Sequence, residues 1–359
     1  MSAATSVADP LVERLKGQAT GRVAGDERME APTEPIDLDD VPGLDPLEPH
    51  PAQAYERVGT SGSFPSLQDM ASLVSARRSG AIVFNEVAAE YDRHRPTYPD
   101  ELVDHACRVA GIERGDAVLE VGCGTGQLTR SLVDRGLRVV AVEPGRRLAA
   151  LAERKLESRG AVKFVNARFE DAQLPHGRFR AVFSASAFHW IDPDVGWEKA
   201  ARLLAPGGTL ALMQYCGRHE DDGLDDQATL LAALGRIAPE LAARWPAYRD
   251  LAALVAGAER RRGNVSEVWA FVGSQDVARA HVARLFGDVR IACVPAVNEH
   301  TPDELNGLLR TLSFYSRLSP DQRRALESEH VALYERLGRR IRSSTVAVLV
   351  TARRSGPPA

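Results

Sequence analysis

The architecture of this chain is set by residues 118–129, which have the sequence VLEVGCGTGQLT. The apolar start of this segment is typical of a buried parallel strand. Three alternate glycines follow, Gly122, Gly124 and Gly126, and a helical pattern then runs to Gly136. Strand, glycine loop and helix indicate a nucleotide-cradling unit, because glycine lets the backbone approach a ligand and the helix start offers unpaired N–H groups to an anion.

The glycine spacing distinguishes between two classes of ligand. A dinucleotide fingerprint is G-x-G-x-x-G, whereas here Gln127 occupies the position of its third glycine. An acidic residue, Glu120, also lies two positions before the first glycine. The string E-x-G-x-G-x-G at a strand end resembles the first motif of class I S-adenosylmethionine-dependent methyltransferases. This resemblance implies a Rossmann-like sheet and S-adenosylmethionine as cofactor, with contacts from Glu120, Gly122, Gly124 and Gly126.

Bulk composition limits the class of protein. The chain has 359 residues with 44% hydrophobic and 26% charged content, which suits one large α/β domain with additions or two small domains. The net charge of −4 provides no global basic field for nucleic acid.

The four cysteines form no C-x-x-C pair, so we expect reduced thiols in a cytoplasmic protein and no metal site. No apolar run suits a signal peptide or a membrane span. Composition does not predict the oligomeric state.

The segment before the glycine loop carries a second resemblance. Residues 91–99, YDRHRPTYP, look like the approach segment of small-molecule methyltransferases, which packs over the methionine end of the cofactor. The resemblance implies cofactor contacts from Tyr91 and Arg95, with Arg95 pairing with the methionine carboxylate. The alternative is a surface ion pair for Arg95 and a core position for Tyr91.

Acidic and apolar residues follow the next two strands. Glu143 ends the second strand about 20 residues after the first glycine, where such folds place a ribose-binding carboxylate; the alternative is a helix-capping acid. By resemblance to the family, Leu148 packs on the adenine face. Phe169 would then form an apolar wall, and Glu170 would meet the adenine amino group, with Asp171 as an alternative one residue away.

The residues at the end of strand four are candidates for contact with the methyl acceptor. Residues 187–190, AFHW, resemble the subgroup that includes trans-aconitate methyltransferase. Because ligands bind outside the carboxyl ends of parallel strands, we expect Ser186 at the cofactor and His189 with Trp190 between methyl donor and acceptor. His189 is the best general base, since its unperturbed pKa is near neutrality. The alternatives are a loop-holding hydrogen bond for His189 and a core role for Trp190. The absence of an Asn/Asp-Pro-Pro-Tyr string disfavours DNA amine methyltransferases.

Four regions follow from the pattern along the chain. Residues 1–80, poor in aromatics and rich in proline and acid, are expected to be mostly disordered. Residues 81–217 form the S-adenosylmethionine-binding core, and residues 218–286 form a helical substrate cap inserted after strand five. Residues 287–359 complete the core. The resemblance to class I methyltransferases implies an α/β fold with a mostly parallel sheet, in which the last strand is inserted antiparallel between strands five and six.

The function that these patterns predict is methyl transfer to a small-molecule acceptor, without nucleic acid or membrane partners. By analogy with the subgroup, the receiving atom is an oxygen of a carboxylate or hydroxyl, and the alanine- and arginine-rich composition suggests natural-product biosynthesis. One alternative is C-methylation of a prenyl diphosphate or other small metabolite, in which Arg260–Arg262 and Glu170 would have other roles. The alternatives of another class are an NAD-dependent oxidoreductase and a non-catalytic cofactor-binding partner protein.

Overall fold

The structure is a computed structural model, and it describes residues 84–159, 161–218, 226–243, 245, 248–273 and 277–356. The predicted N-terminal extension, residues 1–80, lies outside the described residues. The described part of the chain contains one central sheet with helices on both of its faces.

Seven strands of the described residues form this sheet, in the order β3-β2-β1-β4-β5-β7-β6. The strands are β1 (Ala117–Val121), β2 (Arg138–Val142), β3 (Val162–Val165), β4 (Phe179–Ala185), β5 (Leu204–Gly217), β6 (Phe286–His300) and β7 (Ile341–Arg354). Strands β1 to β5 pair in parallel, and β7 runs antiparallel to both β5 and β6. The predicted sheet, with its last strand inserted antiparallel between strands five and six, is therefore confirmed.

Helices connect the strands and also form a separate group after β5. They are α1 (Ala88–His94), α2 (Asp100–Ala110), α3 (Gln127–Asp134), α4 (Arg146–Leu156), α5 (Pro193–Leu203), α6 (Gln227–Ile237), α7 (Pro239–Ala242), α8 (Leu251–Glu259), α9 (Val265–Gly273), α10 (Pro302–Arg310) and α11 (Pro320–Leu337). Within the described residues, no helix combines the length and the apolar character that crossing a bilayer requires.

The strands are apolar along their length because both faces of the sheet are covered. Leu119 and Val140 belong to a cluster on one face, which also holds residues of α5, α8 and α9. Their neighbours Val118 and Val139 belong to the cluster on the other face, with residues of α2 and α3. Parallel strands covered on both sides need continuous runs of aliphatic residues rather than alternation.

Capping boxes begin the last two helices, α10 and α11. The hydroxyl of Thr301 accepts a hydrogen bond from the Glu304 amide, and the Glu304 carboxylate accepts one from the Thr301 amide at 2.8 Å. Ser319 and Gln322 repeat this arrangement at the start of α11. These reciprocal bonds fix the start of both helices, because they satisfy N–H groups that have no partner within the helix.

The packing divides the predicted cap of residues 218–286 into two parts. Leu254 of α8 and Trp269 of α9 are buried in the same cluster as the sheet residues, so these helices cover the sheet. Leu234 of α6 instead packs in a cluster with Tyr315 and Leu326. The cap, as the name is used below, therefore consists of α6, α7, α10 and α11. This corrects the predicted boundary at residue 286, because an apolar helix face shows that a helix packs but not against which element.

Candidate active site

A cavity of about 830 Å³ lies at the carboxyl ends of the parallel strands and extends beneath the cap. Gly122 after β1, Glu143 after β2 and His189 after β4 line its lower part. Leu234 of α6 and Leu308 of α10 line its upper part. Open parallel sheets bind ligands at this edge, because the helices that cover the two faces diverge there.

The glycine loop adopts a conformation that other residues avoid. Gly122, Gly124 and Gly126 have φ angles of +73°, +58° and +86°. Gly122 and Gly124 line the cavity, and a Cβ on Gly122 would overlap that of Ala187. Gly126 faces α4 instead, where a Cβ would come within 3.1 Å of Leu156 Cδ1, and it is outside the described cavity lining. Gly126 thus packs closely between α3 and α4, and its cofactor contact stays a prediction.

Glu143 is held by the backbone at the tip of β2. Its two carboxylate oxygens accept hydrogen bonds from the Gly124 amide at 3.0 Å and the Gly145 amide at 2.8 Å. Asn166 donates its side-chain amide to the Glu143 carbonyl at 2.7 Å. Burial raises the pKa of Glu143, and the two backbone hydrogen bonds oppose this shift. Each carboxylate oxygen keeps a second lone pair, so the oriented group can still accept the hydroxyls of a ribose.

Glu120 is a buried carboxylate whose Oε2 atom has no hydrogen bond in the structure. Burial raises the pKa of Glu120 to about 7, and the Thr129 hydroxyl opposes this shift. It lines a small pocket of about 40 Å³ together with Arg95, Tyr98 and Ser186. A neighbouring ammonium group would stabilise the charged form of such a buried acid. Glu120 therefore fits the amino-acid end of S-adenosylmethionine.

Tyr98 also lies at the site, although the sequence patterns did not predict it there. Its hydroxyl lies 2.7 Å from Ser186 Oγ, and its ring stacks on Tyr215 with centroids 5.0 Å apart. Ser186 itself has a φ of +52°, a strained conformation for a residue with a side chain. Tyr98 therefore supports the backbone at the predicted cofactor contact. The sequence feature that could have identified Tyr98 is its position within the segment YDRHRPTYP.

Arg95 and Tyr91 lie at the junction between the lower cavity and the cap. The Arg95 guanidinium lies 5.0 Å from the centroid of the Tyr91 ring, and its Nη2 donates to the Thr311 carbonyl at 2.7 Å. Its Nε is buried without a hydrogen bond, so the group retains a donor for a ligand. Phe84 contacts both Tyr91 and Trp190 edge to face, with centroids 5.8 and 5.6 Å apart. These aromatic rings form one wall of the cavity.

The residues predicted to surround the adenine line the same cavity. Leu148 and Phe169 are buried in its wall. Glu170 also lines it, and its Oε1 accepts a hydrogen bond from the Asp192 amide at 3.0 Å. Asp171, the alternative acid, is exposed and is outside the described lining. The structure thus places Glu170, rather than its neighbour, where an exocyclic amine could be bound.

His189 lies in the cavity wall, and its pKa there differs from the unperturbed value. Burial, together with the nearby Arg95 charge, lowers the pKa of His189 to about 4. Its Nδ1 is buried without a hydrogen bond, and its ring centroid is 5.1 Å from that of Trp190. Burial thus moves the pKa of His189 away from the unperturbed value on which the general-base prediction was based. At physiological pH the imidazole is neutral, so it can form hydrogen bonds but is a weak base.

Three further histidines line the cavity without having been predicted. His300 Nε2 lies 3.1 Å from Ser343 Oγ, and His330 Nδ1 lies 2.6 Å from Asn306 Oδ1. His94 packs against α10. They come from separate elements, so no sequence spacing connects them. In the described part of the chain, no group of three or more His, Cys, Asp or Glu side chains is arranged to bind a metal.

The comparisons with known proteins agree with this geometry. Residues 119–212 match a family model described as a methyltransferase domain. A solved structure from Anaeromyxobacter dehalogenans, assigned to the type II methyltransferases, superposes with a TM-score of 0.50 over 72% of this chain and 97% of that chain. At 23% identity, this likeness concerns the fold. Residues 119–212 thus match a methyltransferase domain within a Rossmann-like fold, and the cofactor is S-adenosylmethionine.

Relatives at the sequence level carry the same description. An uncharacterized methyltransferase of Mycobacterium tuberculosis is 36% identical over 141 residues, which are 39% of this chain and 55% of that protein. A probable S-adenosylmethionine-dependent methyltransferase of Saccharomyces cerevisiae is 27% identical over 135 residues, which are 36% of this chain and 46% of that protein. The chain thus spans about half the length of these curated relatives.

Proposed function

We propose that this protein transfers the methyl group of S-adenosylmethionine to a small-molecule acceptor, with a carboxylate oxygen as the receiving atom. The observation that carries the proposal is the single cavity, which joins the glycine loop and Glu143 to a chamber beneath the cap. A donor site and an acceptor site that share one cavity can align two reactants. A cavity of about 830 Å³ suits a small molecule.

The chain's own residues bind and orient the cofactor. Glu143 would hold the ribose hydroxyls, Glu120 the ammonium group, and Arg95 the carboxylate at the methionine end. Leu148 and Glu170 would hold the adenine. When bound, S-adenosylmethionine supplies an electrophilic methyl group, and the electron pair of the breaking carbon–sulfur bond stays on sulfur as a neutral thioether. Alignment is therefore the main requirement on the protein.

The state of His189 favours a carboxylate over a hydroxyl as acceptor. A hydroxyl must lose a proton, and a histidine with a pKa of about 4 is a poor proton acceptor at neutral pH. A carboxylate is already ionised there, so no proton has to be removed. We assign to neutral His189 a hydrogen bond that orients the acceptor, and to Trp190 an apolar contact. The trans-aconitate methyltransferase subgroup, which the AFHW segment resembles, is consistent with an acid acceptor.

C-methylation of a prenyl diphosphate receives less support from the geometry. In that reaction the arginine run would bind the diphosphate, yet Arg260–Arg262 lie outside the cavity lining among the described residues. Arg261 lies 4.3 Å from the centroid of the Phe271 ring, and Arg262 donates to the Val289 carbonyl at 2.7 Å. These arginines stabilise the packing of α8 against its neighbours instead.

The experiment is a parallel calorimetric titration of the protein with S-adenosylmethionine, S-adenosylhomocysteine and NAD. We expect the two sulfur compounds to bind with micromolar dissociation constants and NAD not to bind. Binding of NAD alone would support the oxidoreductase alternative and contradict the proposal. Acceptors are then screened by a gain of one methyl group in mass. Cofactor binding without any methylated product, across a library of organic acids, would favour the non-catalytic alternative.

A further inference from the structure

The upper part of the cavity is lined mainly by leucine side chains. They come from α6, α10 and the turn after α10, and six of them are Leu230, Leu231, Leu305, Leu308, Leu309 and Leu312. On α10 and the following turn their spacing of three and four residues places them on one helical face. This face is turned towards the cavity, so the chamber presents an apolar surface to whatever binds there.

Two of these leucines lack the packing partners that the others have. Leu309 packs in the apolar clusters of the cap. Leu308 and Leu312 are half-buried and line the cavity, yet they belong to none of the apolar clusters of the described residues. Removing apolar surface from water stabilises a complex in proportion to the area covered. These two side chains therefore offer binding energy that the described part of the chain does not itself use.

The charges around the chamber are uneven. Among the described lining residues, the acids are Glu143 and Glu170, and both lie at the sheet edge near the cofactor. Arg317, which follows α10, and Arg249, which stacks on Phe271 of α9, also line the cavity. Among the described lining residues no carboxylate lies beneath the cap, so this part of the lining favours an anionic acceptor over a cationic one.

We propose that the acceptor is an amphipathic carboxylic acid with a long apolar body, whose apolar part lies against Leu308 and Leu312. This inference rests on the proposed function, since it specifies the acceptor of the same site. An acid of this kind is ionised at its head, which is the end that must reach the lower cavity. Its body replaces water along the leucine face, so affinity increases with chain length.

The test uses alkyl probes and the intact chain, with Trp190 and Trp245 in the cavity lining as fluorescence reporters. Octanoic, decanoic and dodecanoic acids and dodecylamine are titrated with S-adenosylhomocysteine present. We expect the affinity of the acids to increase roughly tenfold for each two carbons. Dodecylamine should bind at least about tenfold more weakly than dodecanoic acid. Equal affinity across the acids, or tighter binding of the amine, would overturn the inference.

A matched pair of variants on α10 locates the binding surface. Leu308→Asn places a polar group in the chamber, whereas Asp303→Asn introduces the same residue at an exposed position of the helix. We expect Leu308→Asn to lower the affinity for dodecanoic acid at least about tenfold, and Asp303→Asn to leave that affinity unchanged. Equal behaviour of the two variants would overturn the inference.

The affinity for S-adenosylhomocysteine, measured in both variants, separates the two proposals. Retained binding of this compound with no dependence on acid chain length contradicts only the acceptor class. Absent binding of this compound with the dependence intact contradicts methyl transfer and leaves an apolar acid-binding chamber.

Discussion

The carboxylate of Glu143 accepts a hydrogen bond from the backbone amide of Gly124 at 3.0 Å, which ties the tip of β2 to the glycine loop after β1. Its other oxygen accepts from Gly145 at the start of α4. One side chain therefore sets the relative position of three segments that surround the ligand edge of the sheet. A ribose that binds there meets a carboxylate that is already oriented, so little entropy is lost on binding.

Replacing Glu143 should affect cofactor binding and stability together. We expect Glu143→Ala to weaken the binding of S-adenosylhomocysteine by about 1–3 kcal/mol. The melting temperature should also fall, because two buried amides lose their acceptor. Glu143→Gln keeps one side-chain oxygen, so its cofactor affinity and melting temperature should lie between those of the wild type and of Glu143→Ala. Calorimetry and thermal unfolding provide the measurements. A Glu143→Ala variant with wild-type affinity would contradict the ribose assignment.

Glu120 should release a proton when the cofactor binds. Burial raises the pKa of Glu120 to about 7, and an adjacent ammonium group would favour the charged form. Affinity for S-adenosylhomocysteine should therefore rise as the pH increases from 6 to 8, with proton release detectable by calorimetry in buffers of different ionisation enthalpy. Glu120→Gln should abolish the release. Equal proton release in the variant would show that another group titrates.

His189 should influence turnover more than cofactor affinity. We expect His189→Ala to reduce kcat by about tenfold to a hundredfold, since an oriented hydrogen bond to the acceptor is lost. The dissociation constant of S-adenosylhomocysteine should change by less than about threefold. Because its pKa is about 4, His189 should cause no inflection in the rate profile between pH 6 and 8. Such an inflection, lost in the variant, would instead identify a proton acceptor.

The contact between Gly307 and His94 should couple the cap to the cofactor segment. A Cβ on Gly307 would lie only 2.6 Å from His94 Nδ1, so Gly307→Ala must displace the His94 imidazole, which belongs to the same helix, α1, as Tyr91. We expect a loss of about 1–3 kcal/mol in unfolding free energy and weaker binding of S-adenosylhomocysteine.

A second helical glycine provides the control for this substitution. At Gly235 of α6 the nearest atom to an added Cβ is 3.9 Å away, so Gly235→Ala should stabilise the protein by about 0.5–1 kcal/mol. Urea unfolding of both variants measures the difference. Equal changes in the two variants would show that the close contact has no energetic consequence.

His330 should make the protein sensitive to mild acid. Burial lowers the pKa of His330 to about 4 from a usual value near 6.5, although Glu327 and Glu329 oppose the shift. Between these values the unfolded chain binds a proton that the folded chain does not, so stability decreases as the pH falls from about 6.5 to 4. The contribution at pH 5.5 is about 1 kcal/mol.

The exposed His176 allows a matched comparison for this pH effect. His330→Asn should remove part of the loss in stability between pH 7 and 5.5, whereas His176→Asn should retain the wild-type pH dependence. Denaturant unfolding at both pH values provides the measurement. An unaltered pH dependence in His330→Asn would assign the acid sensitivity to other groups.

The sequence by itself determined the sheet, the order of its elements and the position of the cofactor edge. Apolar runs that end in Gly122 and Glu143 carry this information locally, because a strand buried on both faces and a tight turn each restrict the residue types at consecutive positions. The capping boxes at Thr301 and Ser319 are local in the same sense, so the starts of α10 and α11 could also be predicted.

Only the tertiary structure decided which helices form the cap, what the pKa of His189 is, and which residues line the chamber beneath the cap. These properties depend on contacts between residues far apart in the chain, such as Arg95 with Thr311 and Gly307 with His94. The pKa of a histidine depends on its burial and on neighbouring charges, and neither is written in its own segment. The apolar chamber likewise exists because α6 and α10 face each other, which no periodicity within one helix specifies.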